Sequence, residues 1–128
     1  MQLRVNISAG ELVDKLTILE IKLDNIRDPS KRPNLVREYA ALLKSFRGDI
    51  AAFEGVSRLR GELRAVNREL WRIEDDIRDC ERNGAFDGAF VALARAVYRT
   101  NDRRAELKRR INELTRSEIV EEKSYAAY

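Results

Sequence analysis

The sequence predicts an all-α protein, an antiparallel four-helix bundle with a short N-terminal β-strand, folded as one helical domain over residues 1–128. Three observations support this. Apolar residues recur at helical spacing through four segments, and 6 Gly and 2 Pro are few for a chain of 128 residues. The connections between the segments are short, which favours antiparallel neighbours.

The N-terminal residues alternate between apolar and polar side chains. Leu3, Val5 and Ile7 share one side of an extended chain, so residues 1–8 are predicted to form a strand. A single strand leaves backbone groups unpaired and requires a partner. The two candidates are a second copy of the chain and the apolar segment at residues 119–120.

The first predicted helix begins at a capping box, with Ser8 at the N-cap and Glu11 three residues later. Its apolar residues follow at 4,3 spacing: Leu12, Leu16, Leu19, Leu23 and Ile26. The prolines in residues 28–33 end this helix, and Pro33 suits the first turn of the next one.

Three further helices follow. The second carries Val36, Tyr39, Leu43, Phe46, Ile50 and Phe53 and ends near Gly55. The third is the most regular, since apolar residues keep strict 3,4 spacing over residues 56–80. Asn83 and Gly84 end it, and Asp87 can cap the fourth helix.

Several chemistries are excluded by composition. The chain has no histidine and one cysteine, Cys80, which rules out Ser-His-Asp and Cys-His catalysis and an internal disulfide, and leaves zinc few ligands. We therefore assign no catalytic residue and expect no cofactor. No apolar run reaches the ~20 residues of a membrane span, so we expect a cytoplasmic protein without membrane insertion.

Asp75, Asp76 and Asp79 have the D-D-x-x-D spacing with which some diphosphate enzymes bind magnesium. The heptad of the third helix turns Asp75 and Asp79 outward, where nearby arginines can pair with them. The pattern therefore favours a solvated acidic face over a metal site.

Arginines form a ladder on the third helix at Arg60, Arg64, Arg68 and Arg72. Such a row of like charges needs either carboxylates on neighbouring helices or an anionic partner such as RNA. Residues 95–116 are also basic, with eight cations against three carboxylates (+5). Aromatic residues for stacking on bases are sparse, so RNA binding is the weaker alternative and the pattern does not favour nucleic acid.

A polar break interrupts the apolar pattern of the fourth helix at Thr100 and Arg104. A buried arginine requires a partner, and we predict Glu20, with Asn67, Thr100 and Asn101 completing the layer. Two interpretations stay open. The layer is a register-fixing ion pair, or it forms a pocket for a small phosphorylated or carboxylated metabolite.

Ile18, Ile21 and Trp71 lie off the predicted seams. Such residues usually pack against another surface. The covering element is either the tail, residues 117–128 with Tyr125 and Tyr128, or a second subunit. We predict a homodimer, with a further protein partner possible.

The stretches "ISAGELVDKLTILEIKLDNI", "LWRIEDDIRDCE" and "VYRTNDRRAELKRRIN" resemble a family of small uncharacterised bacterial helical proteins. That family is a domain of unknown function associated with glycosyltransferase and surface-polysaccharide genes. The resemblance implies a bacterial cytoplasmic protein and assigns no site residue. Our leading hypothesis is a non-enzymatic protein-interaction module, an accessory to surface-polysaccharide biosynthesis; the alternative is a binder of, or enzyme for, a small anionic metabolite.

Overall fold

The computed structural model describes residues 1–128, and all of its regular structure is helical. The helices are α1 (Ala9–Asn25), α2 (Arg32–Ser45), α3 (Val56–Arg82) and α4 (Gly88–Thr115), with a single π-helical segment, Phe46–Ile50, directly after α2. The predicted all-α class and the four helices are confirmed. No helix is both long enough and apolar enough to cross a membrane.

The predicted N-terminal strand is wrong, because residues 1–8 contain no strand. Leu3 and Val5 are 77% and 75% exposed. Alternation supplies the side-chain pattern of a strand, but a ladder also needs a second strand to pair with. The candidate within the chain, residues 119–120, is not a strand either.

α1 begins at Ser8, whose Oγ accepts a hydrogen bond from the backbone N–H of Glu11 at 3.1 Å. This is one half of the predicted capping box. The Glu11 carboxylate binds the Lys108 ammonium on α4 instead of reaching back to the cap. The start of α1 is therefore tied to the end of α4.

Gly10 lies at a close approach of α1 and α4. Its N–H donates to the Oδ1 atom of Asn112 at 2.7 Å. A Cβ at position 10 would lie 2.4 Å from the carbonyl oxygen of Lys108, which is closer than atoms can pack. Only glycine lets the two backbones meet here.

The hydrophobic core gathers where α1, the π-helical turn, the start of α3 and the end of α4 meet. The π-helical turn supplies Phe46 and Ile50, which are 6% and 7% exposed, whereas α2 itself buries no residue fully. Gly55, with φ 87°, then starts α3 in the left-handed region that favours glycine. The second helix was predicted to run to Gly55, but its α-helical part ends at Ser45.

α3 and α4 form an antiparallel hairpin, in which Glu69 on α3 pairs with Arg103 on α4. α1 packs against both of these helices, and α2 packs on α1. Asn67 faces α1, so Ala65 and Glu69 lie roughly 160° around α3 from that contact. The hairpin thus has one face covered by α1 and another turned away from it.

Candidate functional site

Asp14 is the most deeply buried charged residue in the chain, with 1% of its surface exposed. Arg104 donates to both of its oxygens, with Nε to Oδ1 at 2.9 Å, and Asn67 Nδ2 donates to the same Oδ1 at 2.9 Å. Burial alone raises the pKa of Asp14, but the hydrogen bonds from Arg104 and Asn67 outweigh it and hold the pKa below its ordinary value.

Lys108 lies one turn after Arg104 and joins α1 to the C-terminal tail. Its Nζ lies 2.7 Å from Glu11 Oε2 and 2.8 Å from Glu121 Oε2. Burial lowers the pKa of Lys108, but these two hydrogen bonds raise it above its ordinary value overall. We call Glu11, Asp14, Arg104, Lys108 and Glu121 the ion-pair cluster.

The ion-pair cluster is neutralised from within, since its two cations face three carboxylates. Every charged group in it has an oppositely charged partner, and Asn67 also donates to the Thr17 hydroxyl at 2.9 Å. A cluster with no surplus positive charge has little to offer an anionic ligand. Its geometry instead fixes α1, α3, α4 and the tail relative to one another.

The predicted pairing of Glu20 with Arg104 is wrong. Glu20 binds Arg60 and Arg64, the latter at 3.1 Å, and accepts from the Tyr39 hydroxyl at 3.4 Å. Arg104 pairs with Asp14 instead. Glu20 lies six residues after Asp14, on a face of α1 roughly 120° away, and so does not point at Arg104. Glu20 and Asp24 of α1 thus pair with Arg60, Arg64 and Arg68 of the α3 ladder, as one of its two interpretations expected, while Arg72 has no carboxylate within 4.0 Å.

The remaining members of the predicted polar layer are only partly brought together. Asn67 and Arg104 meet through their shared partner Asp14. Thr100 is buried at 2% exposure, and Asn101 is half-buried. A buried polar layer therefore exists, but its central carboxylate is Asp14, which was not predicted, and Glu20 lies outside it.

Sequence reasoning missed Asp14 and Lys108, although the sequence carried a signal for each. On α1 a second stripe runs at 4,3,4 spacing through Gly10, Asp14, Thr17 and Ile21, all of them buried. On α4 the matching stripe runs at a spacing of four through Arg104, Lys108 and Asn112, all of which contact α1. These two stripes face each other, so α1 is buried on two sides.

The face of the α3–α4 hairpin turned away from α1 carries two adjoining cavities of about 620 and 320 Å³, which we call together the outer groove. Arg99 and Arg103 line both cavities. The larger is also lined by Glu62, Ala65, Val66, Asp102, Glu106, Leu107 and Tyr128. The smaller is also lined by Glu69, Ala92, Arg95, Ala96 and Thr100.

The smaller cavity is electropositive. Arg95, Arg99 and Arg103 follow one another at a spacing of four, and only Arg103 has a carboxylate partner, Glu69. No carboxylate lies within 4.0 Å of the Arg95 or Arg99 guanidinium. The Thr100 hydroxyl makes no hydrogen bond within the chain, unlike the hydroxyls of other helical threonines.

The larger cavity has a different character, with an aromatic ring at its edge. The Tyr128 hydroxyl donates to Asp102, which raises the pKa of the tyrosine. Its ring contacts Tyr98 edge-on at 5.2 Å between centroids. Glu62 and Glu106 carry the remaining negative charge, and each has an arginine neighbour on its own helix.

The three aspartates of the D-D-x-x-D pattern are all exposed. Asp79 pairs with Arg82 on the same helix. No group of three or more histidine, cysteine, aspartate or glutamate side chains is arranged to hold a metal ion. Asp75 and Asp79 thus lie on the outward face that the heptad indicates, and Asp76 is exposed beside them.

Of the predicted interface residues, Ile21 is buried within the chain itself at 1% exposure, so its assignment to an outer surface is wrong. It belongs to the second buried stripe of α1. Ile18 and Trp71 are half-buried, while Tyr125 and Tyr128 are 82% and 77% exposed.

The fold and the outer groove define a small all-helical protein whose α3–α4 hairpin presents a charged groove, electropositive only at its smaller cavity. The chain belongs to DUF6165, a family of unknown function whose model matches residues 3–128. No curated protein and no solved structure matches the chain significantly.

Proposed function

We propose that this protein is a non-enzymatic binding module for a small anionic metabolite, and that the smaller, electropositive cavity of the outer groove holds the anion. The observation that carries the proposal is the pair of guanidiniums at Arg95 and Arg99, which have no carboxylate partner and border an open cavity. The pocket predicted around Glu20 and Arg104 is not the candidate binding site, because Arg60 neutralises Glu20 and Asp14 neutralises Arg104.

Physical chemistry favours an anion at this position. Cations four residues apart on a helix repel each other, and an anion between them removes that repulsion. Guanidinium groups bind phosphate and carboxylate oxygens in pairs of charge-assisted hydrogen bonds. Thr100 adds a hydroxyl donor, and the ion pair with Glu69 positions Arg103 at the end of the row.

A direct test is a calorimetric titration with inorganic phosphate. We expect wild-type protein to bind phosphate and Arg99→Gln to bind it about tenfold more weakly, since a charge-assisted hydrogen bond contributes about 1.5–3 kcal/mol. Arg47→Gln is the matched control, because Arg47 is exposed, has no carboxylate partner and lies in the π-helical turn. Equal phosphate affinity in all three proteins, or none in the wild type, would refute the proposal.

A second candidate is a protein-interaction module that forms a homodimer through the α3–α4 hairpin. Phe86, Val91 and Tyr98 are 55%, 52% and 43% exposed there. A second copy fits by charge: residues 70–82 carry three cations and five carboxylates (−2), and residues 88–104 carry four cations and one carboxylate (+3). An isologous interface can place these two segments opposite each other.

Sedimentation velocity separates this candidate from the first. The dimer hypothesis expects a dimer at tens of micromolar that dissociates in Val91→Glu, because the introduced carboxylate would be buried without a partner. A monomer at that concentration would count against it.

The proposed biological setting rests on sequence resemblance alone. The resemblance favours a bacterial cytoplasmic protein that is an accessory to surface-polysaccharide biosynthesis. Deletion of the gene should then alter the surface polysaccharide, and complementation with Arg95→Gln/Arg99→Gln should fail to restore it. An unchanged polysaccharide in the deletion strain would remove this part of the proposal.

A further inference from the structure

We infer that the ligand of the outer groove is a phosphorylated sugar or polyol, an inference that rests on the proposed function above. The two cavities have opposite charge, which is the basis of the inference. The smaller is lined by three arginines and one glutamate (+2). The larger is lined by two arginines and three carboxylates (−1).

The smaller cavity suits a phosphate group. Arg95 and Arg99 are free to bind its oxygens, and the Thr100 hydroxyl provides a further donor at the floor. Phosphate carries enough acceptor oxygens to satisfy all three groups at once. A neutral head group would leave the repulsion between the two cations in place.

The larger cavity suits a hydroxyl-bearing ring and disfavours a second anion. Carboxylates accept hydrogen bonds from ligand hydroxyls, and Glu62, Asp102 and Glu106 supply such acceptors along its wall. A second phosphate there would find no free cation, because Glu62 and Glu106 already pair with Arg58 and Arg109, Arg103 pairs with Glu69, and Arg99 binds the first phosphate. Ala65 and the Tyr128 ring, both exposed, offer an apolar surface for the C–H face of a sugar ring.

The sizes of the two cavities agree with this assignment. Both are open to solvent, and volumes of about 620 and 320 Å³ leave room for a sugar phosphate that stays partly exposed. They adjoin along Arg99 and Arg103, so one ligand can place its phosphate in the smaller cavity and its ring in the larger one. The specificity then depends on the ring and the affinity on the phosphate.

The test compares three probes by calorimetry on the full chain: inorganic phosphate, ribose 5-phosphate and ribose. We expect ribose 5-phosphate to bind about tenfold more tightly than phosphate, which corresponds to one or two net hydrogen bonds from the ring. In the variant Glu62→Gln/Asp102→Asn this advantage should disappear while phosphate binding is retained. Glu62 is half-buried and Asp102 is exposed, and circular dichroism verifies that the variant folds.

The outcomes separate this inference from the proposed function. If neither phosphate nor ribose 5-phosphate binds, both the inference and the proposed function are wrong. If the two bind with equal affinity, or the carboxylate variant keeps the advantage of ribose 5-phosphate, the inference is wrong and the proposed function stands. Phenyl phosphate is the control for simple apolar packing, and tighter binding of phenyl phosphate than of ribose 5-phosphate would also overturn the inference.

Discussion

Arg104 binds both carboxylate oxygens of Asp14 across a separation of 90 residues in the sequence. The pair joins the first turns of α1 to the middle of α4, and Asn67 ties it to α3. A buried ion pair of this kind specifies how helices are arranged. The cations that can engage a ligand lie on the opposite face of the hairpin, at Arg95 and Arg99.

The first prediction concerns how much the buried pair of Asp14 and Arg104 contributes to the free energy of unfolding. Arg104→Met leaves the Asp14 carboxylate buried without its main partner, so we expect the free energy of unfolding to fall by about 3–5 kcal/mol. Chemical denaturation measures this change. Arg109→Met is the control, because it removes an exposed pair with Glu106 and should cost less than about 1 kcal/mol. Equal losses in the two variants would contradict a structural role for the buried pair.

The second prediction is a pH dependence of stability. The pKa of Asp14 lies below its ordinary value of 3.8 in the folded chain, so the unfolded state binds the proton more readily. The stabilisation from this group is present above pH 3.8 and is lost as the pH falls through the lower, folded pKa. Thermal unfolding of wild type and Asp14→Asn between pH 2 and pH 7 tests this. The variant should lose less stability on acidification, and parallel curves would show that Asp14 does not contribute.

The third prediction concerns two glycines with opposite environments. Gly10→Ala places a Cβ 2.4 Å from the Lys108 carbonyl oxygen, so α1 and α4 must separate and we expect a loss of about 1–3 kcal/mol. Gly61→Ala, in α3, meets no atom within 4 Å. It should stabilise the protein by about 0.5–1 kcal/mol, because alanine favours helix. A tolerated Gly10→Ala would show that the helices are not in close contact there.

The fourth prediction concerns magnesium. Asp75, Asp76 and Asp79 are exposed and Asp79 already pairs with Arg82, so millimolar Mg²⁺ should not raise the melting temperature. Differential scanning fluorimetry with and without EDTA measures this. If Mg²⁺ does raise it, and Asp75→Asn/Asp79→Asn abolishes the rise, then this acidic face is a metal site.

Local patterns predicted the helices well because each one depends on its own residues. The strict spacing of residues 56–80 marked α3, and Ser8 and Asp87 cap α1 and α4 through their side chains. The N-terminal strand failed because its formation depends on a partner that periodicity cannot supply. The π-helical turn at Phe46–Ile50 also has no signal in a 3.6-residue pattern.

The polar layer shows where sequence reasoning reaches its limit. Burial of Arg104 implied a carboxylate partner, and a partner exists. Choosing between Asp14 and Glu20 required knowing which side of α1 faces α4, and the leucine pattern marks only one of the two buried sides of α1. The outer groove could not be predicted at all, because it depends on which face of the hairpin α1 leaves uncovered.

The central claim is that the buried charges hold the fold while Arg95 and Arg99 bind the ligand. The most direct measurement is a titration of uniformly ¹⁵N-labelled protein with inorganic phosphate, followed by amide chemical shifts. We expect saturable shifts centred on residues 92–103 of α4 and little change around Asp14. Shifts confined to the surroundings of Asp14 and Lys108, or no saturable shifts, would contradict the claim.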